Sequence, residues 1–118
     1  MQADFAQHIR RGEVWVLNDP PVGYIVMKRR GEALFVENVA VDPVRHGFGF
    51  GGQLLDFAEQ HALALGAKRI TLFTTVYMTE NRSFYPSIGY HEVARRTEEG
   101  YERVYFSKPL PARRTASV

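Results

Sequence analysis

The sequence predicts an α+β domain built on a mixed, mostly antiparallel sheet with one parallel strand–helix–strand crossover. Three observations carry this expectation. Residues 13–41 hold three short apolar segments separated by tight turns, the pattern of an antiparallel meander. After a glycine-rich stretch, Leu54, Leu55, Ala58, Ala62 and Leu65 recur at helical spacing. Strand-like segments precede and follow this helix, and such a crossover is right-handed and joins parallel strands.

The elements follow in order. In residues 3–11, Phe5, Ala6 and Ile9 share one face of a predicted helical end that Gly12 stops. Residues 13–17 are short, apolar and β-rich, and Asn18, Asp19, Pro20 and Pro21 form a turn cluster. Residues 22–28 give a second strand, and residues 29–32 the next tight connection. The third strand covers residues 33–41. Strict alternation sets Phe35, Glu37, Val39 and Val41 on one face, and Leu34, Val36, Asn38 and Ala40 on the other. Pro43 ends it. The long helix runs about four turns to Gly66. Residues 69–75 form a strand, residues 79–88 a short helix ended by Gly89, and residues 90–97 and 101–108 a closing hairpin around Glu98, Glu99 and Gly100. Residues 109–118 read as a frayed tail. The whole chain, 1–118, reads as one domain, with 1–12 as the remnant of an N-terminal helix.

Composition excludes several classes. The chain is 45% hydrophobic and carries one Trp, six Tyr and eight Phe, far more aromatic than a disordered chain. It contains no cysteine, which excludes disulfide scaffolds, thiol nucleophiles and thiolate metal sites. No pair of histidines has metal-ligand spacing, so no metal is expected. Near the start, His8, Arg10 and Arg11 interrupt single apolar residues, unlike a signal peptide. Apolar runs are far shorter than the about 20 residues of a membrane helix. The expectation is a soluble, cytoplasmic protein without a membrane partner.

Charge is uneven. Residues 1–60 carry six Lys/Arg against eight Asp/Glu, and residues 61–118 nine against five. The basic residues are single or paired, with no aromatic-interleaved stripe, so a solvated surface is favoured over nucleic-acid binding.

The glycine loop carries the chemistry. Gly47, Gly49, Gly51 and Gly52 lie between a strand and a helix, where free backbone N–H groups and the helix dipole favour a phosphate or pyrophosphate. A flexible tight turn is the plainer alternative. The loop matches Gly-x-Gly-x-x-Gly at Gly47, Gly49 and Gly52, but a dinucleotide fold needs an acidic residue after the next strand, where Thr74 and Thr75 stand. A Walker A loop needs Lys-Ser/Thr after its glycines, and this chain has Gln53.

Two segments resemble the GNAT superfamily of acetyl-CoA-dependent N-acetyltransferases. The first is Val41-Asp42-Pro43-Val44-Arg45-His46-Gly47-Phe48-Gly49-Phe50-Gly51-Gly52-Gln53-Leu54-Leu55, similar to a strand ending Val-x-Pro, then Gln/Arg-x-x-Gly-x-Gly/Ala and a Leu-Leu helix. The second is Phe84-Tyr85-Pro86-Ser87-Ile88-Gly89-Tyr90, similar to Phe-Tyr-x-x-x-Gly-Phe/Tyr. The resemblance covers about residues 13–108. It departs at His46, where the family usually has Gln or Arg and Arg45 stands one place early. It departs again at Met78, where an Asn is frequent, with Asn81 a helical turn later. Relatives also carry an extra N-terminal strand and one or two helices that help wall the acceptor site.

The resemblance implies the GNAT-like acyl-CoA N-acyltransferase fold, acetyl-CoA as cosubstrate and an amine acceptor, either a small molecule or a peptide. Val39, Ala40 and Val41 would pair their backbone with the acetyl and pantetheine groups. His46, Gly47, Phe48, Gly49, Phe50, Gly51 and Gly52 would cradle the pyrophosphate, and Asn81 would contact the pantetheine arm. Tyr85 would protonate the departing thiolate, a role that fits a phenol pKa of about 10; a core aromatic is its plainer reading. Glu37, on the strand leading to the cofactor, is the candidate base, weighed evenly against a solvated glutamate. His61 is expected on the exposed side of the long helix. A degenerate CoA-binding or regulatory module without turnover is the alternative function. A homodimer is also expected, because an open sheet edge and the apolar closing strand of residues 101–108, free to exchange near the terminus, invite pairing.

Overall fold

The computed structural model describes residues 5–7, 14–18 and 21–111. Seven strands form one sheet in the order β1-β2-β3-β4-β5-β7-β6. These are β1 (Phe5–Gln7), β2 (Val14–Leu17), β3 (Gly23–Arg30), β4 (Ala33–Val41), β5 (Arg69–Thr75), β6 (His91–Glu98) and β7 (Tyr101–Pro109). Helix α1 (Phe50–Ala64) connects β4 to β5, and α2 (Thr79–Ser87) connects β5 to β6. Among the described strands only β4 and β5 pair in parallel, across the α1 crossover. The α+β architecture expected from the sequence is therefore the one observed.

Both helices pack on one face of the sheet. Phe50, Leu54, Leu55, Ala58 and Ala62 of α1 meet Ile25, Met27, Leu34, Val36, Ile70 and Leu72 of the strands. Tyr85 of α2 joins the same cluster beside Phe106. Full burial of an aliphatic side chain of this kind stabilises by roughly 1.5–3 kcal/mol. Gly23 permits the close approach of β3 and β4, since a Cβ there would stand 2.6 Å from the Ala40 carbonyl oxygen.

The register of β4 departs from strict alternation. Val26 pairs with Asn38, but the next residue, Met27, pairs with Val36, so Glu37 is an extra residue in a bulge. A bulge leaves one residue unpaired and shifts the faces of everything beyond it. Val39 and Val41 consequently pack on the helix-covered face with Leu34 and Val36, and they do not share a face with Phe35.

The bulge is also where β4 leaves β5. Parallel pairing covers only residues 33–36 against 69–72. Beyond it, β4 continues against β3 as far as Val41, and β5 against β7 as far as Thr75. A gap opens between the two strands.

Four further expectations need correction. Residues 5–7 are a strand paired with 15–17 rather than part of a helix, because pairing with β2 outweighs a weak helical pattern; the rest of residues 1–12 lies outside the described residues. The closing strand β7 is internal, bonded to β5 and β6 on its two sides, so it is not a free edge. The tail starts later than 109, as Leu110 packs on the core and its N–H donates to the Lys68 carbonyl at 2.9 Å; residues 112–118 lie outside the described ones. His61 is half-buried, its ring 4.8 Å from Trp15 and 6.1 Å from Phe57, and burial lowers its pKa.

Candidate functional site

The strand-to-helix connection forms the first wall of the site. The Asp42 carboxylate accepts from the Val44 N–H at 3.1 Å, which starts the single turn Pro43–Arg45. The chain then folds back, with His46 Nε2 3.1 Å from the Val41 carbonyl oxygen. Gly49 caps α1 in the left-handed region, φ 81°, where a side chain would be strained. The first intrahelical bond runs from the Gln53 N–H to the Gly49 carbonyl. The N–H groups of Phe50, Gly51 and Gly52 precede it and point out of the helix end. Among the described residues, no side chain caps them. No described atom outside the neighbouring turns of α1 lies within 4 Å of where a Cβ on Gly51 or Gly52 would stand, so the space beside these donors is open. This is an anion cradle at a positive dipole end.

A cavity of about 620 Å³ joins this cradle to the gap between β4 and β5. Val39, Ala40 and Val41 supply one side, and among the described residues this half of β4 has no strand partner on β5. His46, Gly47, Gly49, Phe50, Gly51 and Gly52 supply the loop side. Asn81 and Tyr85 of α2 close it. The Asn81 amide donates to the Thr74 hydroxyl at 3.4 Å, which ties α2 to β5 across the end of the gap. Tyr85 is 5% exposed, packed against Tyr90 at 5.8 Å and Phe106 at 5.6 Å, and burial raises its pKa. Its phenol therefore stays protonated beyond the usual range.

Two residues singled out from the sequence do not line this cavity. Phe48 is 68% exposed, its ring 6.3 Å from that of Phe50. Glu37 is exposed at the bulge, at the point where the gap begins. Arg45, Leu55, Met78, Glu80 and Phe84 line the cavity without having been assigned a role. Helical spacing could have found part of this set: Met78, the N-cap of α2, precedes Asn81 and Tyr85 by three and seven residues. Among the described residues, no group of three or more His, Asp or Glu side chains is placed to hold a metal.

A second cavity, of about 600 Å³, lies beside Val16, Pro21 and Tyr24 and shares Ala40 and Val41 with the first. Backbone at the end of β4 thus borders two spaces.

A sequence model of the acetyltransferase (GNAT) family matches residues 2–90. Among solved structures, nourseothricin acetyltransferase superposes with a TM-score of 0.76 at 25% identity, over 83% of this chain and 65% of that one. The ribosomal-protein-S18-alanine N-acetyltransferase from Escherichia coli gives 0.76 at 18% identity, over 89% and 74%. A GNAT family acetyltransferase from Elizabethkingia anophelis, with acetyl-CoA bound, gives 0.76 at 20% identity, over 82% and 75%. The chain thus spans about two thirds of the length of the first of these structures. The architecture they share with it is the acyl-CoA N-acyltransferase fold.

Proposed function

Because the chain belongs to the acetyltransferase (GNAT) family, we propose that it transfers acetyl from acetyl-CoA to a primary amine. The observation that carries this reading is the gap between β4 and β5, with unpaired strand backbone on one side and free helix N–H groups at its end. Those residues fit the cosubstrate. An extended amide-bearing arm can pair with residues 39–41 as an added strand would. The N–H groups of residues 50–52 can hold a pyrophosphate without a Cβ in the way. Bound acetyl-CoA supplies the thioester carbonyl that an amine attacks.

In this reading the chain's groups orient and move protons. Backbone N–H groups of β4 orient the carbonyl and hold the charge that develops on its oxygen. Glu37, directly or through water, takes the proton of the attacking amine as the N–C bond forms. Tyr85 donates its proton to sulfur as the C–S bond breaks. Tyr85 lines the cavity and its buried phenol carries its proton at neutral pH, which leaves it able to serve as this donor. We further propose that the protein acts in the cytoplasm as a two-fold dimer, pairing through its open sheet edge.

CoA release from acetyl-CoA over a panel of primary amines tests the reaction. Release with at least one amine is expected. Binding of acetyl-CoA with no release from any amine would favour a CoA-binding module without turnover. Glu37→Gln is expected to lower the rate near neutral pH and to recover as the amine itself deprotonates at higher pH. Light scattering tests assembly, where a monodisperse 13.5 kDa species would contradict the dimer.

A further inference from the structure

Among the described residues lining the cavity between β4 and β5, His46 is the one imidazole. It stands beside Gly47, Gly49 and the first turn of α1. Its backbone N–H donates to the Pro43 carbonyl at 3.3 Å, so that donor is spent within the turn. What His46 offers the cavity is therefore its ring. Ring nitrogen Nε2 lies 3.1 Å from the Val41 carbonyl oxygen. A carbonyl only accepts, so this contact assigns a hydrogen to Nε2. In the neutral ring Nδ1 is then an acceptor, carrying a lone pair where an anion needs a donor. Among the described residues Nδ1 has no hydrogen-bond partner.

Few other charges surround the ring. On its own loop, Arg45 lines the same cavity, and Asp42 spends a carboxylate oxygen on the Val44 N–H at 3.1 Å. The end of β4 and the first turns of α1 bring no ionisable side chain to the cavity, and α2 brings Glu80 and Tyr85. As classes, carboxylates titrate below the imidazole range and phenols above it, while a guanidinium stays charged throughout. Among the described residues, the charge of this cavity therefore changes at His46 alone over about pH 5–8.

We infer that the diphosphate of acetyl-CoA is bound with His46 in its charged, doubly protonated form, so that binding takes up a proton and tightens as pH falls. The inference rests on the acetyl-CoA reading above and adds a pH control to that same site. The balance is simple: neutral ring, diphosphate and one proton from solvent give the complex with a charged ring. Nε2 keeps its bond to the Val41 carbonyl in both forms, while Nδ1 changes from acceptor to donor. A charged donor holds a phosphate oxygen more strongly than a neutral one, and a lone pair repels it. The helix N–H groups and Arg45 attract the diphosphate at every pH. His46 adds the part that depends on pH.

Acetyl-CoA itself is a poor probe, because its 3′-phosphate is a monoester whose second pKa of about 6 falls in the same range. The acetyl thioester of 3′-dephospho-CoA keeps the diphosphate and lacks that group; acetyl-pantetheine lacks both. Calorimetry at about pH 5.5 and about pH 8 brackets the imidazole range. The dephospho ligand is expected to bind roughly three- to tenfold more tightly at the lower pH, between the worth of an exposed ion pair and that of a charged hydrogen bond. Buffers of different ionisation enthalpy should report net proton uptake on binding. Acetyl-pantetheine should show neither effect. His46→Gln keeps an N–H for the Val41 carbonyl but cannot become charged, and it is expected to lose both the slope and the uptake. His8, His61 and His91 remain in both proteins, so their contributions cancel. The melting temperature without ligand checks that the variant is folded, and the two ligands compared on wild type decide the matter without it. Affinity independent of pH, or an equal slope in the variant or with acetyl-pantetheine, would overturn the inference and leave acetyl-CoA binding standing. Absence of acetyl-CoA binding at every pH would remove the reading beneath it as well.

Discussion

The two halves of β4 do opposite work. Residues 33–36 are paired on both sides, with β3 and with β5, and all four are buried. Among the described residues, 39–41 are paired with β3 only, and they are half-exposed to the cavity. One extra residue, Glu37, separates them. The composition of the two halves hardly differs, as both are short and apolar. The difference lies in what the backbone meets: in the first half a neighbouring strand, in the second a space shaped for a ligand. A sheet that continued its pairing past Val36 would gain ladder hydrogen bonds and lose its site. The bulge gives up pairing in the second half and leaves strand backbone free to act as a template for an extended ligand.

Four substitutions sharpen or break this contrast. Tyr85→Phe acts on the open half. It is expected to lower turnover by about 10²–10⁴-fold, the usual range for a general acid, with acetyl-CoA affinity nearly unchanged. Because burial raises the Tyr85 pKa above its ordinary value of 10.0, the proton should remain available through mildly alkaline pH, and the wild-type rate should not fall with loss of this acid below about pH 10. An equal rate in the Phe variant would remove Tyr85 from the chemistry.

Leu72→Ala acts on the closed half. Leu72 is 2% exposed and pairs with Val36 at the last rung before the gap, so the substitution is expected to cost about 2–5 kcal/mol in denaturant unfolding. Loss of stability below 1 kcal/mol would mean that this half is less tightly packed than the structure has it.

Gly51→Val tests the cradle. An added Cβ meets no atom within 4 Å outside the neighbouring turns of its own helix, and Gly51 does not stand in the left-handed region, so the fold should tolerate the substitution. Wild type at 100 times its dissociation constant should gain about 2.7 kcal/mol from acetyl-CoA, seen as a rise in melting temperature, and the variant should lose most of that gain. Gly49→Val would be a poorer test, because at φ 81° any side chain strains the cap.

The smallest effect lies away from the gap. His61 is stacked on Phe57 and tilted against Trp15, and burial lowers its pKa from 6.5. The unfolded chain therefore binds its proton more readily than the folded one does, and stability should fall as pH drops below about 6.5. Melting temperatures of wild type and His61→Gln, compared between pH 5 and 7.5, should show a shallower slope in the variant. Parallel slopes would contradict the assignment.

Much of this was legible in the residues, and what was not has a physical cause. The span of β4, the four turns of α1 and the glycine loop are local features, and turn chemistry and periodicity report them directly. The bulge was hidden. In a strand apolar on both faces, Phe35, Val36, Val39, Ala40 and Val41 satisfy either parity, and only the adjacent polar pair Glu37 and Asn38 marks the interruption. The sequence of residues 5–7 favours helix because three residues carry too little pattern to oppose the spacing of Phe5, Ala6 and Ile9, and pairing with β2 decides the outcome. The loop side of the cavity could be read from the glycines. The side formed by Met78, Glu80 and Phe84 depends on how α2 docks against β5, a long-range event without a local signature.

Amide hydrogen exchange with and without acetyl-CoA addresses the division of β4 most directly. The account predicts that the ligand slows exchange at residues 39–41 and 50–52, while the already paired residues 33–36 change little. Equal slowing along the whole of β4, or none at residues 39–41, would contradict it.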